Sequence, residues 1–502
     1  MKRSAFCLPL LGLWAAWAGP GAQEPPVSAE TQECLGCHEL VHPGIVSDWQ
    51  RSRHGHRSPA QALAVEEIGR RISSEAISPS LMGSVVGCAE CHTLRPRQHG
   101  DTFEHNGREV HVVVSPEDCA TCHAVEVGQY SGNVMAHAYA NLEENALYQD
   151  LQRNILGAPA RGAGGLSFGE PDPAVKEQTC LYCHGTRLAV LGTQERETNL
   201  GTMSFPILSG WPNQGVGRVN LDGSLGSCSA CHTRHEYSIE MARQPYTCKE
   251  CHLGPDVPVY KVYSSSKHGN IFETQGQGWN FDAVPWRIGA DFTAPTCAAC
   301  HVSLLAGAGD EVIAPRSHQM NDRLAWRIFG LIYSHPQPLD PRTSRIRSAD
   351  GLPLPTALDG RPAADYLIDE AEQARRRETM TRVCTACHSS AWVAGHFDRY
   401  ERMHAATNAA TAEATGILQE IWRRGLATGT DRGGSAFDEA IEQRWCDAWL
   451  FYGNSIRFAS AMAGGGDYAV FADGLYAHAK AIKELQEWLE ARSGSAGSGA
   501  SE

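Results

Sequence analysis

The stretch CSACHTRHEYSIEMARQPYTCKECH, Cys228 to His252, spells Cys-x-x-Cys-His at both of its ends within 25 residues. The same word occurs eight times: Cys34-Cys37-His38, Cys88-Cys91-His92, Cys119-Cys122-His123, Cys180-Cys183-His184, Cys228-Cys231-His232, Cys248-Cys251-His252, Cys297-Cys300-His301 and Cys384-Cys387-His388. Sixteen of the 18 cysteines are used in this way, leaving Cys7 and Cys446. Two cysteines three apart on one helical turn can each add to a vinyl group of the same porphyrin, and the next residue, a histidine, is then aimed at the iron. A disulfide framework does not call for a histidine after every second cysteine. Structural zinc pairs two Cys-x-x-Cys knuckles or uses a later histidine pair, again without a histidine at the adjacent position. The repeat therefore predicts eight c-type haems, their irons held by His38, His92, His123, His184, His232, His252, His301 and His388.

The 502 residues carry a net charge of −14 with no lysine or arginine block, which excludes nucleic acid as a partner. Small neutral or cationic substrates and basic protein partners remain open. At the start, Lys2 and Arg3 precede the apolar run AFCLPLLGLWAAWA and an Ala-x-Ala step at Ala16 to Ala18. Residues 1–22 therefore read as an export signal, and the mature chain as periplasmic. No later apolar run approaches the roughly 18 residues of a membrane span. Eight haems in residues 23–390 predict a body built largely of porphyrin, wrapped by short helices and many loops, in keeping with 50 Gly and 26 Pro. The expected fold is mainly α, a multihaem cytochrome c fold with little sheet.

Fourteen further histidines can supply sixth ligands. Those beside small residues in short helical or turn settings are the candidates: His54 in QRSRHG, His137 in VMAHAYA, His235 in CHTRH, His268 in SSSKHG and His318 in APRSHQ. His99 or His105 is expected for the second haem, and His396 or His404 for the last. An iron closed on both faces passes electrons, and an open one can bind a substrate. Residue types alone do not say which iron is open.

Beyond His388 the composition changes. TAEATGILQEIWRRGLA and FDEAIEQRWCDAWLFYGNSIRFASAMA carry apolar residues at helical spacing, the second through Ile441, Trp445, Trp449, Tyr452 and Ile456. TGTDRGGS between them reads as a turn, and LYAHAKAIKELQEWLEAR as a third helix. Residues 391–493 are thus expected to form a C-terminal helical region, and the Gly/Ser-rich residues 494–502 a disordered tail. AGGGDYAVF places Tyr468 on a loop between helices, from which an aromatic hydroxyl could reach another site.

The chain resembles the octahaem hydroxylamine oxidoreductase family over essentially its whole mature length. The resemblance rests on the eight motifs in order, on PGIVSDWQRSRHG, VVSPEDCATCH, NQGVGRVNLDGSLGSCSACHTRH, PYTCKECHLGPDVPVYKVYSSSKHGN and APTCAACH. It implies that the haem of the fourth motif, held by His184 alone, is the catalytic one, and that seven others are bis-histidine carriers. In oxidising members a tyrosine from the C-terminal part of an adjacent subunit bonds to the catalytic haem within a homotrimer; Tyr468 is the first match for it and Tyr452 the second. Asp222 in NLDGS and Tyr333 in LIYSHP are candidates for the family's acid/base and distal groups. The implied activity is oxidation of hydroxylamine, a small nitrogenous substrate, to nitric oxide or nitrite, with electrons passed to a periplasmic or membrane-bound cytochrome. Relatives that run as reductases of nitrite or hydroxylamine to ammonium, and a non-catalytic electron-transfer cytochrome, are the alternatives.

Overall fold

Each Cys-x-x-Cys-His word folds as one turn, because cysteines at i and i+3 then share a face and the histidine follows directly beside them. In the computed structural model, which describes residues 24–162, 165–198, 201–329, 332–463 and 466–497, Cys88–His92, Cys180–His184 and Cys297–His301 are five-residue helices in their own right. Cys34 to His38 lies inside the helix Ala29–Val41, which starts where the Ser28 hydroxyl accepts the Thr31 amide. Cys119 to His123 lies inside Pro116–Ser131, whose backbone leaves helical geometry at His123 itself. The export segment expected at 1–22 lies outside the described residues.

The chain is mainly α, and its strands are short and paired in small sheets. The exception is a long antiparallel hairpin, Ala189–Thr198 with Gly201–Ser209, that follows the fourth motif and is largely exposed. Its strands carry little of the strict inside–outside alternation that reveals a half-buried strand, which is why periodicity does not announce it. A second hairpin, Phe103–His105 with Arg108–Val110, turns on Asn106 and Gly107, both at positive φ. Asn-Gly is the pair that such a two-residue turn requires.

The C-terminal half of the core is apolar. The 34-residue helix Ser390–Arg423 starts at the Ser389 cap, immediately after the eighth motif. It buries Val393, His396, His404, Thr407, Thr411, Ala414, Leu418 and Ile421, mostly three or four residues apart along one face. Against this face lie Ile441, Trp445 and Trp449 and, from the helix Leu475–Gly497, Ala481, Leu485 and Leu489. The Trp422 indole N–H donates to Glu442 at 2.8 Å and that of Trp445 to the Thr415 hydroxyl at 3.0 Å, so these two buried indoles are satisfied. Gly429 closes the turn after Trp422 at φ +66°, where a β-carbon would sit 2.5 Å from the indole.

Four details differ from the sequence reading. The helix through Trp445 and Trp449 widens to a π-helical segment at Asp447–Gly453, one that leaves Tyr452 half-buried. The last helix continues to Gly497, into the stretch expected to be a tail, whose final residues 498–502 lie outside the described ones. Tyr468 belongs to a short helix, Gly466–Val470, rather than to a loop. Nor is position 390 a clean divide: Leu147, Tyr148, Leu151, Ile332, Tyr333 and Leu354 from the body pack into the C-terminal cluster.

Candidate functional site

Behind the motif turns the body encloses a cavity of about 2100 Å³. Ordinary ligand pockets span roughly 300–1,000 Å³. Thirteen motif cysteines, from Cys91 to Cys387, line it, and all sixteen motif thiols are free of disulfides. Sulfurs of different motifs face one another in three places: Cys119 with Cys228, Cys183 with Cys251, and Cys248 with Cys297.

The proximal histidines are oriented for metal ligation. One ring nitrogen, Nδ1, is held by a backbone carbonyl at four of them: His92 by His111 (2.8 Å), His184 by Ala138 (3.2 Å), His232 by Ser238 (3.3 Å) and His301 by Met320 (3.1 Å). Donation from Nδ1 fixes the tautomer that leaves the Nε2 lone pair free for a metal. Burial, above all, lowers the pKa of each, so these rings stay neutral.

Five proximal rings face a second imidazole at nearly constant separation. Ring centroids are 6.2 Å apart for His38 and His105, 6.2 Å for His123 and His54, 6.4 Å for His92 and His235, 6.4 Å for His232 and His318, and 6.1 Å for His388 and His268. Two metal–nitrogen bonds of about 2 Å each, plus the half-widths of two rings, need about this span. The His54, His235 and His318 rings are pushed down to about 4 by burial, which keeps their lone pairs available. A haem iron thus fits between each pair.

Several of the expected sixth ligands sit elsewhere. His99 stacks on His111 at 3.7 Å and bonds the Asp118 carboxylate at 3.2 Å, facing no proximal histidine. His105, presented by the Asn-Gly hairpin, faces His38 instead of the second motif. The signal was the HNGR turn, which aims a strand-end side chain back at the first motif. His137 gives its Nε2 to the Ser131 carbonyl at 2.9 Å and only starts the helix Ala138–Glu143. His396 lines the cavity, stacked on Trp392, but faces no proximal ring at the ligand spacing.

That leaves His184, His252 and His301 without a facing imidazole at this spacing among the described residues. Beside His301 the charged group is Arg323, whose N–H groups are spent on the carbonyls of Ala299, Cys300, Ser303 and Pro315. His252 meets the Phe329 ring edge-on at 6.5 Å, and it too feels the Asp256 carboxylate. Around His184 the fields of Asp256, Glu143 and Arg327 converge. Asp256 and Arg327 line the cavity there with Tyr148, whose hydroxyl makes no hydrogen bond to the described residues.

Asp222, the expected acid/base group, is not among them. Its Oδ2 accepts the Ser115 hydroxyl (2.6 Å) and the Arg95 guanidinium (3.2 Å), and its Oδ1 accepts the Ser224 amide and hydroxyl. Burial opposes its charge, but these bonds outweigh that and hold the carboxyl below its ordinary value. It is a turn-forming carboxylate, as Asp in NLDGS is suited to be. Tyr333 is likewise structural, its hydroxyl donating to the Leu358 carbonyl at 2.7 Å. Tyr468 packs half-buried on its own chain's cluster of Val262, Phe458 and Ala459, next to Val257 and Phe329. Asp256 escaped the sequence reading because nothing local in GPDVP sets it apart from a loop aspartate.

Comparison with known proteins agrees with this geometry. Residues 220–321 match the family described as seven times multi-haem cytochrome CxxCH, and residues 118–203 match cytochrome c554 and c-prime. A solved structure described as a hypothetical multiheme protein is 39% identical, with a TM-score of 0.88 over 95% of this chain and 98% of its own. A reducing HAO-like protein complex of Kuenenia stuttgartiensis shares the fold at a TM-score of 0.57 and 18% identity, covering 93% of this chain and 86% of that one. The chain is a multihaem c-type cytochrome. This cytochrome is also 24% identical over 383 residues to a probable nitrite reductase-hydroxylamine oxidoreductase fusion protein of Kuenenia stuttgartiensis. The match takes in 72% of the cytochrome but spans only about a third, 34%, of that relative's length.

Proposed function

We propose that the cytochrome carries eight haems and acts as an exported oxidoreductase on small nitrogenous compounds at the haem held by His184, oxidising hydroxylamine to nitric oxide or nitrite. The observation that carries this reading is the asymmetry of the histidines. Five proximal rings face a second imidazole, whereas His184 faces a space lined by an aspartate, a tyrosine and an arginine. A haem held there by Cys180, Cys183 and His184 would supply a substrate-binding iron and stepwise electron transfer to its neighbours. The chain's own part is proton handling and shape. Removing hydrogens from hydroxylamine requires a base within reach, and the Asp256 carboxylate accepts those protons. Tyr148 donates a hydrogen bond to the substrate oxygen, and the Ala138 carbonyl holds His184 in the ligating tautomer. Electrons leave to a partner cytochrome, and a trimer is the assembly proposed.

The experiment is hydroxylamine turnover by the purified holoprotein with an artificial electron acceptor, together with carbon monoxide binding to the reduced form. Asp256→Asn is expected to slow turnover about 100-fold or more, and Asp222→Asn to leave it near the parent value. A protein whose irons all stay low-spin and refuse carbon monoxide would be an electron carrier and nothing more.

The reverse reaction, reduction of nitrite or hydroxylamine to ammonium, is the second reading. A specific observation favours it: Arg327 brings into the same space a guanidinium with no hydrogen bond or ion pair among the described residues. Comparing turnover with a low-potential donor against turnover with an acceptor decides the direction.

A further inference from the structure

Arginines set deep in this fold are almost all committed. Arg218 is bonded to Asn220 and the Asn213 carbonyl, Arg243 to the carbonyls of Phe281 and Ala283, and Arg457 to Asn454, Asn408 and the Ile332 carbonyl. Arg323 is saturated by its four carbonyls. Arg327 differs. Among the described residues its guanidinium makes no hydrogen bond and no ion pair, and it lies over the Phe329 ring at 5.4 Å. Its backbone is fixed in the two-residue strand Trp326–Arg327, paired with His335–Pro336, so the charge is delivered to the cavity wall by a held segment. Nearby polar groups are also unspent. Both amide atoms of buried Gln152, one turn beyond Tyr148 on its helix, lack partners, as does the Gln337 Oε1, whose amide nitrogen holds the Trp326 carbonyl at 2.9 Å.

A guanidinium without a bonded partner is costly to withdraw from water, so a site that keeps one is suited to an anion that meets it, even with the Asp256 carboxylate in the same space. We propose that Arg327 is the seat of an oxyanion site in the space beside His184, and that nitrite is the anion it takes. The proposal rests on the reading of His184 as the open position. It does not depend on direction, because nitrite is the substrate of the reductive reaction and a product of the oxidative one. The two oxygens of nitrite match the planar N–H fork of arginine, which neutral hydroxylamine does not need. A chain of net charge −14 repels anions at long range. Nitrite therefore requires a local cation, and Arg327 is placed to be one. The same oxyanion chemistry could come from a haem propionate, and the test separates the two sources.

The test is an equilibrium titration of oxidised holoprotein with nitrite, read from the optical change of the high-spin haem, beside a titration of reduced protein with neutral carbon monoxide. Arg327→Gln is expected to raise the nitrite Kd about tenfold to a hundredfold, the range for losing a charge-assisted hydrogen bond. Carbon monoxide affinity is expected to stay within about twofold, and Arg327→Lys to recover part of the nitrite affinity, which also controls for folding. An Arg327→Gln protein that shifts a haem midpoint potential but binds nitrite as tightly as the parent assigns the arginine to a propionate and overturns the proposal. Parent protein that takes carbon monoxide but not nitrite overturns it too, leaving the open haem intact. Refusal of both ligands removes the open haem and this site together.

Discussion

At the scale of single residues, a histidine becomes a ligand here through what its other nitrogen does. His184, His92, His232 and His301 each spend Nδ1 on a carbonyl, whereas both nitrogens of His111 are turned to carbonyl oxygens, of Val113 and Leu94, at 2.9 Å each. The distinction between His105 and His99 is testable on this basis. His105→Ala is expected to convert one low-spin haem of the holoprotein to high spin, seen by electron paramagnetic resonance, and His99→Ala to leave the low-spin count unchanged. Gly185, next in sequence to His184, matters for a different reason. It sits at φ +89°, and a β-carbon there would lie 2.3 Å from the Arg218 amide nitrogen. Gly185→Ala is therefore expected to cost at least about 1–3 kcal/mol and to displace the fourth motif, measured as lost carbon monoxide binding by protein that still carries its other haems.

Among elements, legibility in the sequence followed the reach of the chemistry. Thioether attachment is local, so the eight words could be read directly. A facing histidine is remote: His54 and His123, or His268 and His388, are brought together only by the fold. His54, His235, His268 and His318 were nonetheless picked out by their small neighbours, because tight turns and short helices are what bring a ring close to a flat cofactor. His137 had the same surroundings and caps a helix instead. The apolar periodicity after His388 found the C-terminal helices and their tryptophans, but not the stretch from Ser390 onward, where buried histidines and threonines replace aliphatic residues. One of those, His404, is buried with neither ring nitrogen bonded. Burial first, and then the Arg457 charge, push its pKa down to about 3 from 6.5. A depressed histidine contributes stability that is present above the unfolded value and lost as pH falls toward the folded one. The helical region is thus expected to weaken between about pH 6.5 and pH 3, by on the order of 1–3 kcal/mol from this group. Urea midpoints followed by tryptophan fluorescence at about pH 7 and about pH 4.5 check it, and His404→Phe should flatten the difference.

For the molecule as a whole, the body's own apolar cluster, around Phe272, Phe281, Trp286, Phe292 and Leu305, is smaller than the tryptophan cluster at the C-terminal end. The body's centre is a cavity of about 2100 Å³ lined by thiols and neutral imidazoles, a volume that close-packed interiors do not leave empty. Chain made without haem attachment is therefore expected to keep helical far-ultraviolet dichroism from the C-terminal region while residues 23–390 are rapidly cut by protease, and the mature product to show eight covalent haems by intact mass.

The meeting of Cys183 with Cys251, and of Cys248 with Cys297, also bears on how such a chain is made. The fourth pair of thiols is finished on one side by a segment synthesised some sixty residues later, which in turn leans on the seventh. A nascent chain that has just exposed His184 thus holds a half-walled chamber. On the proposed reading, the space beside His184 is completed late, in a step of assembly rather than of attachment, so a chain cut short between the fourth and sixth words would keep its early attachment turns and lack that wall.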